Sequence, residues 1–457
     1  MAERYAKLKD EWLLRGWTDM PRMLVNWTNG EQRELGKRAF YVARACDGNT
    51  DFSSLAFLPV HNTLLDKLIS EGIAQECEPG DSIDAIQQYR IAENPRLKGL
   101  QWSVTGFCNL NCRHCYMESP SGRYGEMSFE DSVSLIGQFE RANVHQIAIT
   151  GGEPFLRKDM LDLLEVLARK RITVSQIYTN GLLITKSILE KIRGIGFSPS
   201  FQISFDGYGT HDYMRGTSGI EEGVIEAIRK VRAAGFNAVI STSVDRVSRE
   251  CLADTYELLK KLDIQVWRLA VPQERGNWRG ATTGLLLEDE AKIYEPLFRR
   301  WLEDGRPFSI EFGGFFRSTG HDFPIQDRNS DILFTPESFD CSLCREHPNI
   351  LPDGTLLPCP GYTDSALQDS MPNVLRDGLP EALNQPLFRS IVDMRKSDLL
   401  VENQECTDCE WFAECGMGCR AQAFAETGSI TAKDPVSCRI WKEGYRKRFQ
   451  ESAGIAD

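Results

Sequence analysis

Cysteines 108, 112 and 115 stand in the pattern C-x3-C-x2-C within WSVTGFCNLNCRHCYM, with the aromatic Tyr116 directly after the last thiol. Three thiolates on one short loop can bind three irons of a four-iron cluster and leave the fourth iron open to a small ligand. Cysteine is uncommon, and this loop follows a strand-like stretch, 100–105, so three unrelated packing cysteines are a poor account of the spacing. Eight more cysteines crowd the last third of the chain: Cys341, Cys344, Cys359, Cys406, Cys409, Cys415, Cys419 and Cys438. They divide into two sets of four, and their C-x2-C pairs suit zinc as well as iron. The remaining Cys46, Cys77 and Cys251 lack ligand spacing and read as packing residues, although an exposed thiol could donate a hydrogen atom.

The elements that position these residues follow from periodicity. Strand-like segments at 146–150, 173–178, 200–204, 238–244 and 265–270 alternate with helix-like ones at 128–142, 159–170, 185–194, 220–234, 249–261 and 288–303. Alternation of this kind builds parallel sheets from βα units. With the strand before the cysteine loop there are six units, too few to close an eight-stranded barrel. Ligands of such sheets gather at the carboxyl ends of the strands. Those ends carry Gly151-Gly152-Glu153-Pro154, Tyr178-Thr179-Asn180-Gly181 and Ser204-Phe205-Asp206-Gly207, followed by Arg215, whose guanidinium suits a carboxylate. Each could be a simple turn on its own.

Taken with the cysteine loop, these motifs resemble the radical S-adenosylmethionine (radical SAM) superfamily, which implies a partial (β/α)6 barrel in an α/β fold. The resemblance implies one 4Fe-4S cluster on Cys108, Cys112 and Cys115, next to Tyr116. SAM would then be held through Gly151, Gly152 and Glu153 at its amine, Ser204 and Arg215 at its carboxylate, Asn180 near the sugar and methionine, and Leu269 beside the adenine. In that family, reductive cleavage of SAM yields a deoxyadenosyl radical that abstracts hydrogen from the substrate; the cofactor carries the hard chemistry. The run 406–419 with Cys438 resembles the SPASM extension of radical SAM peptide modifiers, which favours iron over zinc. It implies two auxiliary 4Fe-4S clusters, one on Cys341, Cys344, Cys359 and Cys419 and the other on Cys406, Cys409, Cys415 and Cys438. Cys341 and Cys344 stand closer than is common at the start of that extension. A hairpin turn at Asp353-Gly354 is expected to present Cys359.

Residues 1–95 contain no cluster motif but read as a folded module. Asn29-Gly30 is a hairpin signal between strands near 22–28 and 31–35, and helices are expected at 37–46 and 62–70. This winged-helix-like pattern resembles the precursor-recognition module of enzymes that modify ribosomally made peptides, through ACDGNTDF and LLDKLISEGIA. A polar link over 78–98 leads to the barrel, 96–330, then the SPASM domain, 331–445, and a tail, 446–457. The chain has 457 residues, 41% of them hydrophobic, and a formal charge of −13, which argues against a nucleic-acid partner. Without a signal-peptide core or a membrane-length apolar run, a cytoplasmic enzyme without a membrane partner is expected. The resemblance implies a precursor peptide with a leader, and a flavodoxin- or ferredoxin-type electron donor. It also implies an intramolecular thioether, carbon–carbon or ether cross-link as the product. Alternatives are a sulfatase-type formylglycine maturase, a peptide epimerase and a noncatalytic iron–sulfur carrier or scaffold.

Overall fold

The computed structural model describes residues 3–119, 121–318, 325–326 and 333–452. Six short strands precede the barrel: β1 (Ala6–Leu8), β2 (Trp12–Gly16), β3 (Met23–Asn26), β4 (Gln32–Glu34), β5 (Ala74–Glu76) and β6 (Arg90–Ile91). Helices α1 (Lys37–Ala45) and α2 (Pro59–Ser70) lie between β4 and β5. The expected hairpin is β3–β4, paired antiparallel with Val25 opposite Gln32, and Gly30 takes a positive φ of 77° in its turn. Helix α2 starts a turn earlier than expected, because Pro59 occupies its first position, where a missing N–H costs nothing. Pattern reading missed β1, β2, β5 and β6. Trp12, Leu14, Val42, Phe52 and Leu65 close a separate core for this region.

The stretch 78–98 is not a loose link. Its β6 pairs parallel with β2, and Arg90 donates to Asn143 Oδ1 at 2.9 Å and to the Glu140 carbonyl at 2.6 Å. Trp17 Nε1 reaches the Ala142 carbonyl at 3.2 Å, so the N-terminal region is seated on the barrel. The polar composition that suggested a linker is spent on these contacts.

The barrel strands are β7 (Leu100–Ser103), β8 (Gln146–Thr150), β9 (Thr173–Thr179), β10 (Ser200–Ser204), β11 (Ala238–Ser243), β12 (Val266–Ala270) and β13 (Ser309–Phe312). They pair in sequence order and in parallel, joined by α3 (Phe129–Arg141), α4 (Met160–Arg169), α5 (Lys186–Ile195), α6 (His211–Arg215), α7 (Glu221–Ala233), α8 (Leu252–Lys261) and α9 (Leu287–Glu303). The six expected units are present and β13 extends them. Beyond β13 the sheet continues through β14 (Phe316–Ser318) and β15 (Ile325–Gln326); on its other edge β16 (Asn349–Ile350) and β17 (Leu356–Leu357) join β7. Strand faces alternate cleanly. Trp267 and Ile310 are fully buried beneath the helices, while Arg268 faces the barrel interior and is half-buried.

One hydrophobic core runs from Leu97 to Phe449, through the barrel and into the cysteine-rich part. The expected tail is folded as far as residue 452: a helix over Tyr445–Ser452 inserts Phe449, fully buried, against Phe298 and Phe312. Among the described residues no helix is long and apolar enough to cross a membrane.

Candidate functional site

The cysteine loop leaves the carboxyl end of β7 and is clamped from three sides. Gly152 N donates to the Thr105 carbonyl at 2.8 Å and Glu153 N to the Phe107 carbonyl at 2.9 Å. A side chain on Gly152 would collide with Phe107 O at 2.1 Å, so only glycine allows this approach. Opposite, Arg113 N donates to Met214 O at 2.9 Å. From the third side Asn277 N donates to Cys115 O at 3.0 Å and Asn277 Nδ2 to Cys112 O at 3.1 Å. Cys108, Cys112 and Cys115 therefore sit on a loop fixed by its own backbone. Burial pushes the Cys108 thiol up to about 12, and iron binding must displace that proton.

Arg215, 7% exposed, closes α6 and points Nη1 at Cys112 Sγ, 3.6 Å away. Its Nε is 2.6 Å from Asp206 Oδ2. Asp206 is fully buried after β10 and is fixed in turn by Ser243 N, which donates to Oδ1 at 2.8 Å. His211 Nδ1 accepts from Asp206 N at 3.1 Å; burial holds its imidazole down near 4 and therefore neutral. A fixed buried cation aimed at a thiol fits an anionic iron–thiolate group.

Glu153 ties two strand ends together. Its carboxylate is fully buried and accepts from Thr179 Oγ1 at 2.9 and 3.0 Å, from Asn180 N at 2.8 Å and from Phe155 N at 3.1 Å. Desolvation raises this carboxyl to about 7, while the three donors oppose the shift. The side chain is thus committed to tying the end of β8 to the end of β9, leaving backbone groups of Gly151 and Gly152 for a ligand. Asn180, held by that tie, donates to Asn109 Oδ1 at 2.8 Å and lies 3.9 Å from Cys108 Sγ. Ser204 lies on the inner face of β10, and Tyr116 is half-buried beside the loop. Leu269 lies on β12. It shares the helix-facing side of β12 with Trp267, is 1% exposed, and its carbonyl accepts from Gly313 N at 2.7 Å.

The eight C-terminal thiols fall into two groups. Cys344 lies beside Cys341 and Cys359, and Cys419 lies near Cys359 and Cys341. The neighbouring Cys344 thiol lowers that of Cys341. Cys359 follows the expected hairpin, in which Gly354 has a φ of 88° between β16 and β17. Cys406, Cys409, Cys415 and Cys438 surround one pocket with Trp411, Phe412 and Trp441. Among the described residues no three Cys, His, Asp or Glu side chains gather tightly enough to grip a single ion.

Between the two groups lies a charge cluster that spacing did not reveal. The side chains of Asp340, Lys396 and Arg420 are each 2% exposed or less, with Lys396 Nζ 2.7 Å and Arg420 Nε 3.3 Å from Asp340 Oδ1. Lys396 also donates to the Gly416 carbonyl. These residues adjoin Cys341, Cys419 and Cys415, so one cluster braces both groups. Of the other cysteines, Cys46 is fully buried and bonded to Val42 O, whereas Cys251 lies 2.9 Å from Thr210 Oγ1.

Residues 102–259 match the Radical SAM superfamily. Over three quarters of its length the chain is 26% identical to an AdoMet-dependent heme synthase of Nitratidesulfovibrio vulgaris, covering 92% of that protein. It is 27% identical, again over 75% of its length, to the mycofactocin maturase MftC of Mycolicibacterium smegmatis, covering 83% of it. In fold it is similar to Streptococcus suis SuiB bound to precursor peptide SuiA, with a TM-score of 0.66 and 16% identity, over 94% of this chain and 99% of that one.

Proposed function

We propose that this chain, a radical SAM enzyme, acts on a ribosomally made precursor peptide and closes a cross-link within it. The observation that carries this reading is the N-terminal sheet, ordered β4-β3-β2-β6, with β4 on its edge. In the hairpin, Asn26 N bonds Glu31 O and Leu35 N bonds Arg22 O, so residues 31, 33 and 35 face β3 and the amides of Gln32 and Glu34 face outward. An outward row of donors and acceptors is the surface on which an extended leader adds a strand. The fold match to peptide-bound SuiB spans 94% of the chain, which supports a peptide substrate.

Cys108, Cys112 and Cys115 would hold one 4Fe-4S cluster, and Arg215 with Ser204, Asn180 and the Gly151-Gly152 backbone would hold SAM. When bound and reduced, that pair supplies the radical that removes hydrogen from the peptide. The protein orients SAM and excludes water, and Asp206 keeps Arg215 aimed. Four thiols around a pocket lined by Trp411 and Trp441 suit a polynuclear cluster better than a single ion. We assign Cys341, Cys344, Cys359 and Cys419 to one auxiliary cluster and Cys406, Cys409, Cys415 and Cys438 to a second. A flavodoxin- or ferredoxin-type donor would supply the electron, in a cytoplasmic setting.

Mass spectrometry of a co-encoded small peptide, produced with and without this protein, tests the reading. A loss of two hydrogens with fragmentation blocked across two residues is expected; an unmodified peptide, or turnover of a porphyrin instead, refutes it.

A further inference from the structure

Arg275 is 8% exposed, yet among the described residues no carboxylate pairs with it. The nearest acid, Asp364, is already bound by Arg123 at 2.8 Å, by Arg279 at 2.5 Å and by Gly276 N at 3.1 Å. Arg275 itself donates Nη2 to the Ala421 carbonyl at 3.0 Å, which answers one donor and none of the charge. A guanidinium cannot shed its proton, and a buried cation without a counter-charge is costly. The structure must therefore supply an anion nearby. Two thiols are among the groups around Arg275: the point where a Gly361 side chain would begin lies 3.7 Å from Arg275 Nη1 and 3.2 Å from Cys359 Sγ, and Cys419 lies in the same surroundings, with Tyr362 and Asp364.

The following two residues face the other way. Gly276, at φ +49°, packs so closely on the cysteine loop that a side chain there would lie 2.3 Å from Cys115 O, and Asn277 bonds the Cys115 and Cys112 carbonyls. Residues 275–277 thus form a strap with one end at the barrel cysteines and the other at the Cys341, Cys344, Cys359 and Cys419 group.

We propose that Arg275 is the built-in counter-ion of an iron–sulfur cluster on Cys341, Cys344, Cys359 and Cys419, and that its charge raises the reduction potential of that cluster. The inference rests on the auxiliary-cluster assignment above. A fixed positive charge stabilises the reduced, more negative state, and net charge and solvent exposure are what set such potentials. Cys406, Cys409, Cys415 and Cys438 have Lys433 and Lys442 at the pocket edge instead, and Lys433 already pairs with Glu405 at 2.6 Å. The strap thus adds a buried cation beside one thiol group, on top of the Lys396 and Arg420 charges that adjoin both.

The test uses anaerobically reconstituted full-length protein and its Arg275→Gln and Arg275→Lys variants, with redox titration followed by paramagnetic resonance, iron analysis and deoxyadenosine release. In Arg275→Gln the midpoint of one auxiliary signal should move to lower potential, while the barrel cluster and uncoupled deoxyadenosine formation stay unchanged. Arg275→Lys should retain most of the wild-type potential. Loss of iron from that site in the Gln variant but not the Lys variant also supports a counter-ion role. An unshifted midpoint in a fully loaded Gln variant overturns the inference alone, as does equal loss of iron in both variants, which marks a packing role. A wild-type protein without a cluster on these four thiols overturns the assignment and the inference together.

Discussion

Asp340→Asn is the substitution to which the C-terminal part should be most sensitive. The Asp340 side chain is 2% exposed and stands between Lys396, 2.7 Å away, and Arg420, 3.3 Å away, with Lys396 Nζ also 4.4 Å from the centre of the Phe334 ring. The cluster already holds two cations to one anion. Asparagine keeps the shape and a hydrogen-bond acceptor but removes the only negative charge, so two cations face each other out of water. Breaking one buried ion pair costs about 3–5 kcal/mol, against a total stability on the order of 5–15 kcal/mol. Because the cluster touches residues next to Cys341, Cys415 and Cys419, both thiol groups should loosen together. The assay is urea denaturation of the reconstituted protein followed by circular dichroism, with iron and sulfide counted in parallel. The expected result is a lower midpoint and iron lost from both C-terminal groups, while the barrel cluster remains. Adding Lys396→Met should recover part of the loss, with a coupling of about 0.5–3 kcal/mol. A wild-type midpoint with full iron in Asp340→Asn would refute the bracing role.

Cys112→Ala should abolish deoxyadenosine formation but keep visible iron–sulfur absorption from the C-terminal groups, as read by absorbance and chromatography of the products. Glu153 has a folded-state carboxyl near 7 against an ordinary 4.5, so its contribution to stability is full below pH 4.5 and is lost as pH rises through 7. That amounts to about 3 kcal/mol by the conversion of pKa shift to free energy; between pH 5 and 8 the wild type should lose stability relative to Glu153→Gln, and a flat difference in denaturation midpoints contradicts the reading. Glu34→Pro removes an outward amide of β4 without touching the β3–β4 bonds, so precursor affinity should drop several-fold in fluorescence anisotropy while uncoupled SAM cleavage is spared. Cys46→Ala, Cys77→Ala and Cys251→Ala should leave iron content unchanged.

The parts legible in the sequence were those written in local pattern. Strands at 146–150 and 200–204 match their expected bounds because β-branched and apolar residues alternate there between turn-forming ends. The GGEP turn was legible because close backbone approach requires glycine at a fixed position, as Gly152 against Phe107 O shows. Short strands such as β1 and β5 carry too few residues for a period, and their pairing, Ala6 with Glu76, spans most of the N-terminal region. Leu269 shows what position alone leaves out: which face a strand residue takes depends on pleat and register, and here Trp267 and Phe312 fix that face toward the helices. Charges were the least legible. Arg275 follows Gln273-Glu274 and looks like any surface arginine, and Lys396 sits in the run MRKSD, which reads as an exposed helix start. Their burial is decided by partners such as Ala421 and Asp340, 146 and 56 residues away along the chain. A buried cation announces itself only when the count of neighbouring anions comes up short. At Arg275 that shortfall is what makes its two thiol neighbours, Cys359 and Cys419, the proposed source of the missing charge.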